Sequence, residues 1–389
     1  MSAPAAGTGL PLEGVVVLDL SRVLAGPYAT QILGDLGAEV WKVERPGEGD
    51  ETRAWGPPFV NGASAYYLSV NRNKRSAALD LADPADRALV RRAALAADVV
   101  VENFLPGTLA RFGLDPAELR RARPDLVVCS ITGFGQDGPY AALPGYDAVL
   151  QGFTGLQSVT GEADGPPLKV GVALVDVLAG AHAAAAVLAA LVGRFRGRGG
   201  ASLDVSLFEV GVASLVNVAQ GTLATGEPAR RHGNAHPHIV PYQTFEAADG
   251  ALVIAVGNDA QWRRLCAALG AARLAADPAL ARNPARVLRR AEVVGELAAI
   301  LRGAPRDRWL EALRAARVPA GAVRDTREVL ADPALAARDM VRRTTLPGGA
   351  AAELLALPWR MDGARPPLRL PPPALGQHTA DFRTRFAAF

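Results

Sequence analysis

The chain has 389 residues, 50% of them hydrophobic and 21% charged, which is enough for two domains with a large core and too apolar for a disordered chain. Its 42 basic and 39 acidic residues leave a formal charge of +3 with no run of Lys and Arg, which excludes a nucleic-acid tail. The two cysteines, Cys129 and Cys266, stand far apart in unlike contexts, which excludes a disulfide framework or a zinc spacing.

Met1–Gly9 is small and polar, with no charged region leading into an apolar run, so no signal peptide is expected. Val15–Leu20 is a short apolar run of the kind that forms a buried parallel strand. Pro27–Leu36 reads as a helix with proline in its first turn and Gly37 as its stop. Glu39–Val43 and Ala77–Leu81 are the next strands. Asp83–Pro84 opens a helix to Ala97, Val99–Val101 is a strand, Asp115–Pro116 opens a short helix, and Leu126–Ile131 is again a strand. Helices near 176–192 and 206–219 follow, with a strand at Leu203–Ser206 between them. This alternation predicts an α/β fold: an open, parallel, Rossmann-like sheet with helices on both faces.

Val170–Val192 is the longest apolar stretch, but it carries Asp176 and His182 and reads as a buried helix rather than a membrane span. A cytoplasmic location without membrane contact is expected. After Thr225–Pro228 the texture changes. Tyr242–Glu246 and Leu252–Val256 flank the turn signal Ala248–Asp249–Gly250, and helical patterns follow at 259–269, 284–302 and 305–316. The expected domains are a large one beginning at 1–227, a smaller α+β domain at 228–325, and a return segment 326–389 that completes the first. From Leu346 that segment is Pro-rich and reads as an extended strap.

Asp176 is the residue without an obvious structural need, because an ionised carboxylate in so apolar a stretch is costly to desolvate. It is either the N-cap of the helix that follows or a nucleophile partly stripped of water. Gly133, Gly135 and Gly138 spell G-x-G-x-x-G after a strand. Pro139 and Pro144 prevent a long helix from opening there, so a mobile glycine loop beside a site fits better than a dinucleotide site. His232, His236 and His238 cluster around Gly233 and Pro237 with no Cys or acid to complete a metal shell, which favours a loop lining a polar pocket. Asn71–Ser76, with Lys74 and Arg75, reads as a solvated turn or as a phosphate clamp, and Glu44–Arg45–Pro46 makes a similar offer. Trp55 is a loop aromatic, either core or the wall of a pocket.

Together these segments resemble the class III (formyl-CoA transferase type) CoA-transferases. The resemblance runs through Val17–Pro27, Asp35–Pro46, Gly49–Pro58, Asn71–Ser76, Val101–Thr108, Gly145–Asp147 and Gly171–Asp176, in one order along nearly the whole chain. It implies that Asp176 is a nucleophile that forms an aspartyl anhydride and then an aspartyl-CoA thioester. It implies CoA contacts at Val23, Leu24, Arg45, Lys74 or Arg75, Asn103, Phe104 and Arg111, and a substrate pocket that includes Trp55. CoA and acyl-CoA would be substrates, with no prosthetic group and no metal. The family also holds α-methylacyl-CoA racemases, which need a histidine where this chain has Tyr146. A tyrosine of ordinary pKa is a poor base at neutral pH, which favours transfer over racemisation. A non-catalytic nucleotide-binding module is the third reading. Gly233–Gln243, Gly257–Gln261 and the tail Pro371–Thr379 resemble the branch that uses succinyl-CoA and dicarboxylates such as glutarate. A second carboxylate would then meet Asn234, His236, His238 and Arg53. Members of the family form interlocked homodimers, and the Pro-rich tail suits such wrapping.

Overall fold

The computed structural model describes residues 9–387. Six strands form one parallel sheet: β1 (Val16–Asp19), β2 (Glu39–Glu44), β3 (Lys74–Ala78), β4 (Val99–Glu102), β5 (Val127–Thr132) and β6 (Ser202–Ser206). Their order is β3-β2-β1-β4-β5-β6, and every neighbouring pair is parallel. The Val-rich runs are continuous rather than alternating because both faces of the sheet are covered. On one face Val17, Val40 and Val99 pack with Leu33 of α1 (Ala25–Asp35) and with Val175, Ala179 and Ala183 of a 22-residue helix, Leu174–Phe195. On the other face Leu18, Trp41, Val100 and Val128 pack under α2 (Pro84–Ala96) and under Phe382 and Phe386 near the chain end. Asp83 caps α2 by accepting the N–H groups of Ala85 and Asp86.

Two compact units emerge. The first holds the sheet and comprises the described chain to Leu156, Lys169–Gly226 and the chain from Pro333 onward. The second comprises Gln157–Leu168 and Glu227–Asp332. Its inclusion of the early 157–168 segment was not expected from sequence. Arg231 holds that segment by donating to the carbonyls of Ser158, Glu162 and Gly165. The second unit has a three-stranded antiparallel sheet in which β8 (Ala251–Ala255) lies between β7 (Tyr242–Glu246) and β9 (Ala320–Ala322). Helices cover it through Trp262, Leu297 and Leu313.

Several local expectations need correction. The third strand begins at Lys74, three residues before the predicted start, because that lysine is buried and paired with Asp19 while Arg75 lies over Trp41. The 206–219 helix breaks into Leu207–Ala213 and Val216–Thr225, bent by 76°. The tail is not only a strap. It forms a hairpin, β10 (Val341–Thr345) with β11 (Ala351–Leu355), and ends in the helix Thr379–Phe386, whose two phenylalanines meet Trp41 edge-on at 5.5 and 5.9 Å. Among the described residues one helix, Leu174–Phe195, is long and apolar enough to cross a membrane. Its Val175, Ala183, Val187 and Leu191 are buried in the core of the first unit.

Candidate active site

The strand order reverses between β1 and β4, so the segments leaving their carboxyl ends diverge. Open α/β sheets take ligands at that point. A cavity of about 220 Å³ lies there, lined by Arg22–Ala25, Asn103–Leu105, Ile131–Gly133, Gly145, Tyr146 and Asp176. Asn103 joins the two diverging segments: its amide oxygen accepts the Arg22 N–H at 2.8 Å and its amide nitrogen donates to the Arg22 carbonyl at 2.7 Å. Gly133 and Gly145 cross back to back. A Cβ on Gly133 would stand 2.8 Å from the Gly145 Cα, so only glycine allows this approach.

The rim after β1 rests on buried charges. Val23 has φ +68°, a strained conformation for a β-branched residue. Its N–H points at the Asp50 carboxylate, 3.3 Å from either oxygen. Asp50 is buried against Lys42 at 2.9 Å, and Lys42 donates to the Ser21 carbonyl at 2.8 Å. Asp19 accepts from the Ser21 N–H and hydroxyl, from Thr30 and from Lys74. Burial alone would raise the Asp19 carboxyl, but Lys74, Lys42 and the two hydroxyls bring it down to about 2.

Asp176 is not the N-cap. Its helix, α4 (Leu174–Phe195), follows α3 (Asp147–Phe153) in the site; Ala173 is the α4 cap residue and has no capping side chain, and Asp176 is the third helical residue. The helix is capped from outside instead. The Asp147 carboxylate accepts the N–H groups of Val175 at 2.8 Å and Asp176 at 3.4 Å. Gln151 holds that carboxylate at 2.7 Å and also accepts the Val170 N–H. The Asp176 carboxyl is therefore relieved of capping and is 8% exposed in the cavity wall. Burial, and secondarily the Asp147 charge, pushes its pKa up to about 7. A carboxylate so poorly solvated, and not committed to any partner among the described residues, is equipped to act as a nucleophile or a base near neutral pH. Burial and the charges of Asp176, Asp147 and Asp50 push the Tyr66 phenol up to about 12, so Tyr66 stays protonated on that side of the site. Asp147 and Tyr66 went unassigned from sequence. The Gly145-Tyr146-Asp147 motif was visible, but that Asp147 caps a different helix is a tertiary fact.

Of the other expected site residues, Val23, Leu24, Asn103, Phe104, Tyr146 and Gly133 line this cavity with Asp176. Gly135 and Gly138 have positive φ, and their loop is anchored where Gly135 donates to Thr132 Oγ1 and Gln136 to Asp204. Arg45 lies in a second cavity of about 490 Å³ that shares Arg22, Glu51 and Phe104 with the first. Arg111 sits in the short turn Leu109–Phe112 next to Phe112, which lines that second cavity. Trp55 packs edge-on against Tyr66 at 5.1 Å.

Three expectations do not survive. Lys74 is fully buried, donating to Asp19, Asn71 and the Pro27 carbonyl, so it offers no charge to a phosphate. Arg53 forms two bonds of 2.8 Å to Glu44 and lies over the Tyr67 ring, so its charge is already neutralised. The whole 71–76 segment is neither a solvated turn nor a clamp. Arg72 and Asn73 hold Asp35, Asn73 accepts the N–H groups of Arg369 and Leu370, and Arg75 lies over Trp41. The segment ties the tail to the sheet edge.

In the second unit His236 stacks on Tyr242 at 5.2 Å, and its ring centroid is 6.1 Å from that of His238. His236 Nδ1 accepts the His238 N–H, and Asn283 donates to the His238 carbonyl. Asn234 is exposed in the same loop.

Comparison with known proteins agrees with this geometry. The pattern that defines CoA-transferase family III matches residues 12–379. The succinate–glutarate CoA-transferase of Agrobacterium fabrum is 46% identical over 379 residues, covering 95% of this chain and 94% of that protein. The succinyl-CoA:glutarate CoA-transferase of Mus musculus is 42% identical over 369 residues, covering 95% and 85%. The crystal structure of a CAIB/BAIF family protein from Brucella suis superposes with a TM-score of 0.87 at 43% identity, covering 97% of this chain and all of that one. With a match of this extent around a buried, uncommitted aspartate, the chain belongs to CoA-transferase family III.

Proposed function

We propose that this protein moves CoA from a donor such as succinyl-CoA to a dicarboxylic acid, with Asp176 as the covalent carrier. The observation that carries this reading is the Asp176 carboxyl, held in the cavity wall with no donor of its own among the described residues and a pKa raised to about 7. The names of the relatives support the substrate class. In the proposed course the Asp176 carboxylate attacks the donor thioester, forming a C–O bond, breaking C–S and releasing CoA thiolate. The thiolate attacks the aspartyl carbonyl of the mixed anhydride and releases the donor acid. The acceptor carboxylate attacks the aspartyl-CoA thioester and frees the thiolate again. The thiolate then takes the new acyl group and regenerates Asp176. Each step exchanges groups of similar reactivity, so the sequence needs no other energy source.

The second cavity, with Arg45, Phe104 and Phe112, suits the nucleotide end of CoA, where a cation meets phosphate and a ring meets adenine. Val23 and Leu24 would face the pantetheine arm, and Arg111 would add charge outside it. A homodimer is supported by the apolar residues left open on the first unit: Val192, Phe195, Val216 and Leu223 are 50–79% exposed. The family resemblance supports an interlocked form of that dimer. Incubation with succinyl-CoA and glutarate, read by mass spectrometry, is expected to yield glutaryl-CoA, with hydroxylamine-trapped modification at residue 176. Absence of both ends the proposal.

The pH dependence follows from the same carboxyl. The nucleophile must be ionised, so kcat/KM for the donor is expected to fall about tenfold per pH unit below about 7 and to level off above it. Asp147→Asn removes the second cause of the raised pKa while keeping an oxygen for the Val175 N–H. It should move this limb to lower pH. A limb that stays in place would remove Asp147 as an electrostatic partner.

A further inference from the structure

The loop that leaves β2 reads Arg-Pro-Gly-Glu-Gly-Asp-Glu-Thr-Arg over residues 45–53, and its only apolar side chain is that of Pro46. It cannot fix its course by burying apolar surface. Yet Arg45, Glu48, Gly49, Asp50 and Glu51 form much of the wall of the second cavity. One carboxylate holds the loop in place. Glu44, the last residue of β2, is buried, and among the described residues its side chain accepts four hydrogen bonds, two on each oxygen. The Asp50 N–H at 3.0 Å and Arg53 Nε at 2.8 Å donate to one oxygen, and Arg53 Nη2 at 2.8 Å and Ser76 Oγ at 2.6 Å to the other. Burial alone would raise this carboxyl, but Arg53, Lys42 and Ser76 bring it below the usual range, so it stays ionised.

The contacts run in two directions. Inward, the Asp50 carboxylate faces the Val23 N–H at the rim of the Asp176 cavity, and the Arg45 carbonyl accepts the Gly49 N–H at 2.9 Å. Outward, Ser76 Oγ accepts the Gly376 N–H at 2.9 Å, His378 Nδ1 accepts the Ser76 N–H at 3.2 Å, and Arg53 Nη2 reaches the Pro373 carbonyl at 3.2 Å. Glu44 is the junction between the tail and the cavity wall. Sealing a sheet edge does not require a buried charge, which apolar residues often replace without loss of stability. Orienting a polar loop does, because fixed acceptors select one course for its donors.

We propose that Glu44 is a positioning residue for CoA: its carboxylate sets the 45–53 loop so that Arg45 meets the nucleotide phosphates and Asp50 holds the Val23 rim, and the docked tail takes part in that hold through Ser76. This rests on the reading of the two cavities as the CoA site.

The test uses the full chain. Glu44→Gln keeps the shape but places an amide NH2 against two donors. It is expected to weaken CoA, measured by calorimetric titration, and to raise the KM for succinyl-CoA, each about tenfold, while kcat and the KM for glutarate stay within about twofold. Ser76→Ala lines neither cavity, so it reaches CoA only through Glu44 and the tail; a loss of CoA affinity of about threefold is expected. In an Arg45→Ala background the Glu44→Gln loss should shrink, because the cation being aimed is gone. CoA affinity unchanged in Glu44→Gln, KM values that rise equally for donor and acceptor, or Glu44 and Arg45 losses that simply multiply overturn the proposal. Should Glu44→Gln not fold, Ser76→Ala decides: CoA affinity equal to wild type overturns it. The titration needs no turnover. Weaker CoA binding in the variants of a protein that transfers nothing supports the positioning role and ends the transferase reading, whereas a wild-type protein that does not bind CoA overturns both.

Discussion

Asp176→Asn is expected to abolish transfer and, at the same time, to make the protein harder to unfold at pH 8. The two effects have one origin. A carboxyl whose pKa rises from 3.8 unfolded to about 7 folded is held in a place that disfavours its charge. The folded protein therefore binds more protons than the unfolded chain between those two values, and stability falls as pH rises through that window. Above it, the full cost of keeping Asp176 ionised is roughly 4 kcal/mol. Asparagine has the same shape and no charge, so it recovers part of that amount. Turnover should drop by more than about 10⁴-fold, because a covalent carrier has no substitute. Thermal unfolding of both proteins at pH 4.5 and pH 8 checks the claim: the stabilisation should be large at pH 8 and small at pH 4.5. An asparagine variant no more stable than wild type at pH 8 would mean that the nucleophile is not held under electrostatic stress.

Lys42→Met is expected to destabilise the protein by about 3–5 kcal/mol, the range for breaking one side of a buried ion pair. Lys42 and Asp50 are both inaccessible to water, and removing the lysine leaves Asp50 charged with no cation at 2.9 Å. Burial is the largest influence on the Lys42 ammonium and would lower its pKa. Asp50, Asp19 and Glu44 outweigh it and raise the value, so the charge is firmly held. The loss reaches the site, because Lys42 donates to the Ser21 carbonyl and Asp50 faces the strained Val23 N–H. Donor kcat/KM should fall with stability. Adding Asp50→Asn removes the stranded charge while keeping an acceptor for Val23 and Thr52, so the double variant should be more stable than Lys42→Met alone. Urea denaturation of the four proteins in the cycle measures that coupling. Additive effects would show that the pair contributes nothing as a pair.

The sheet was legible because buried parallel strands are written as Val-rich runs between turn residues, as in Val15–Leu20 and Val99–Val101. The third strand was partly hidden for a physical reason: Lys74, Arg75 and Ser76 look solvent-facing until partners 30 to 300 residues away are known. Asp176 was conspicuous as a charge in an apolar stretch. Its location at the third helical position, rather than at the cap, was not readable, because the group that performs the capping is Asp147, 29 residues earlier. The same holds for Arg53 and Lys74. Both have the chemistry of a phosphate or carboxylate contact, and both are committed to Glu44 and Asp19 by folding. The terminal helix escaped notice because Asp381–Phe386 holds only two apolar residues, one turn apart, and both are spent on Trp41.

The binding of the tail to the sheet edge also sets an order of events during synthesis. Asn73 is joined to Arg369 and Leu370, and Ser76 to Gly376 and His378, across some 300 residues. Those partners do not exist until residues 369–378 have been made. The inserted unit, by contrast, has all its residues once Asp332 has been added. The edge strand is therefore made long before the segments that seal it, and until those follow the nascent chain exposes one flank of its sheet, with the face of Trp41 uncovered, to the chaperones of the cell.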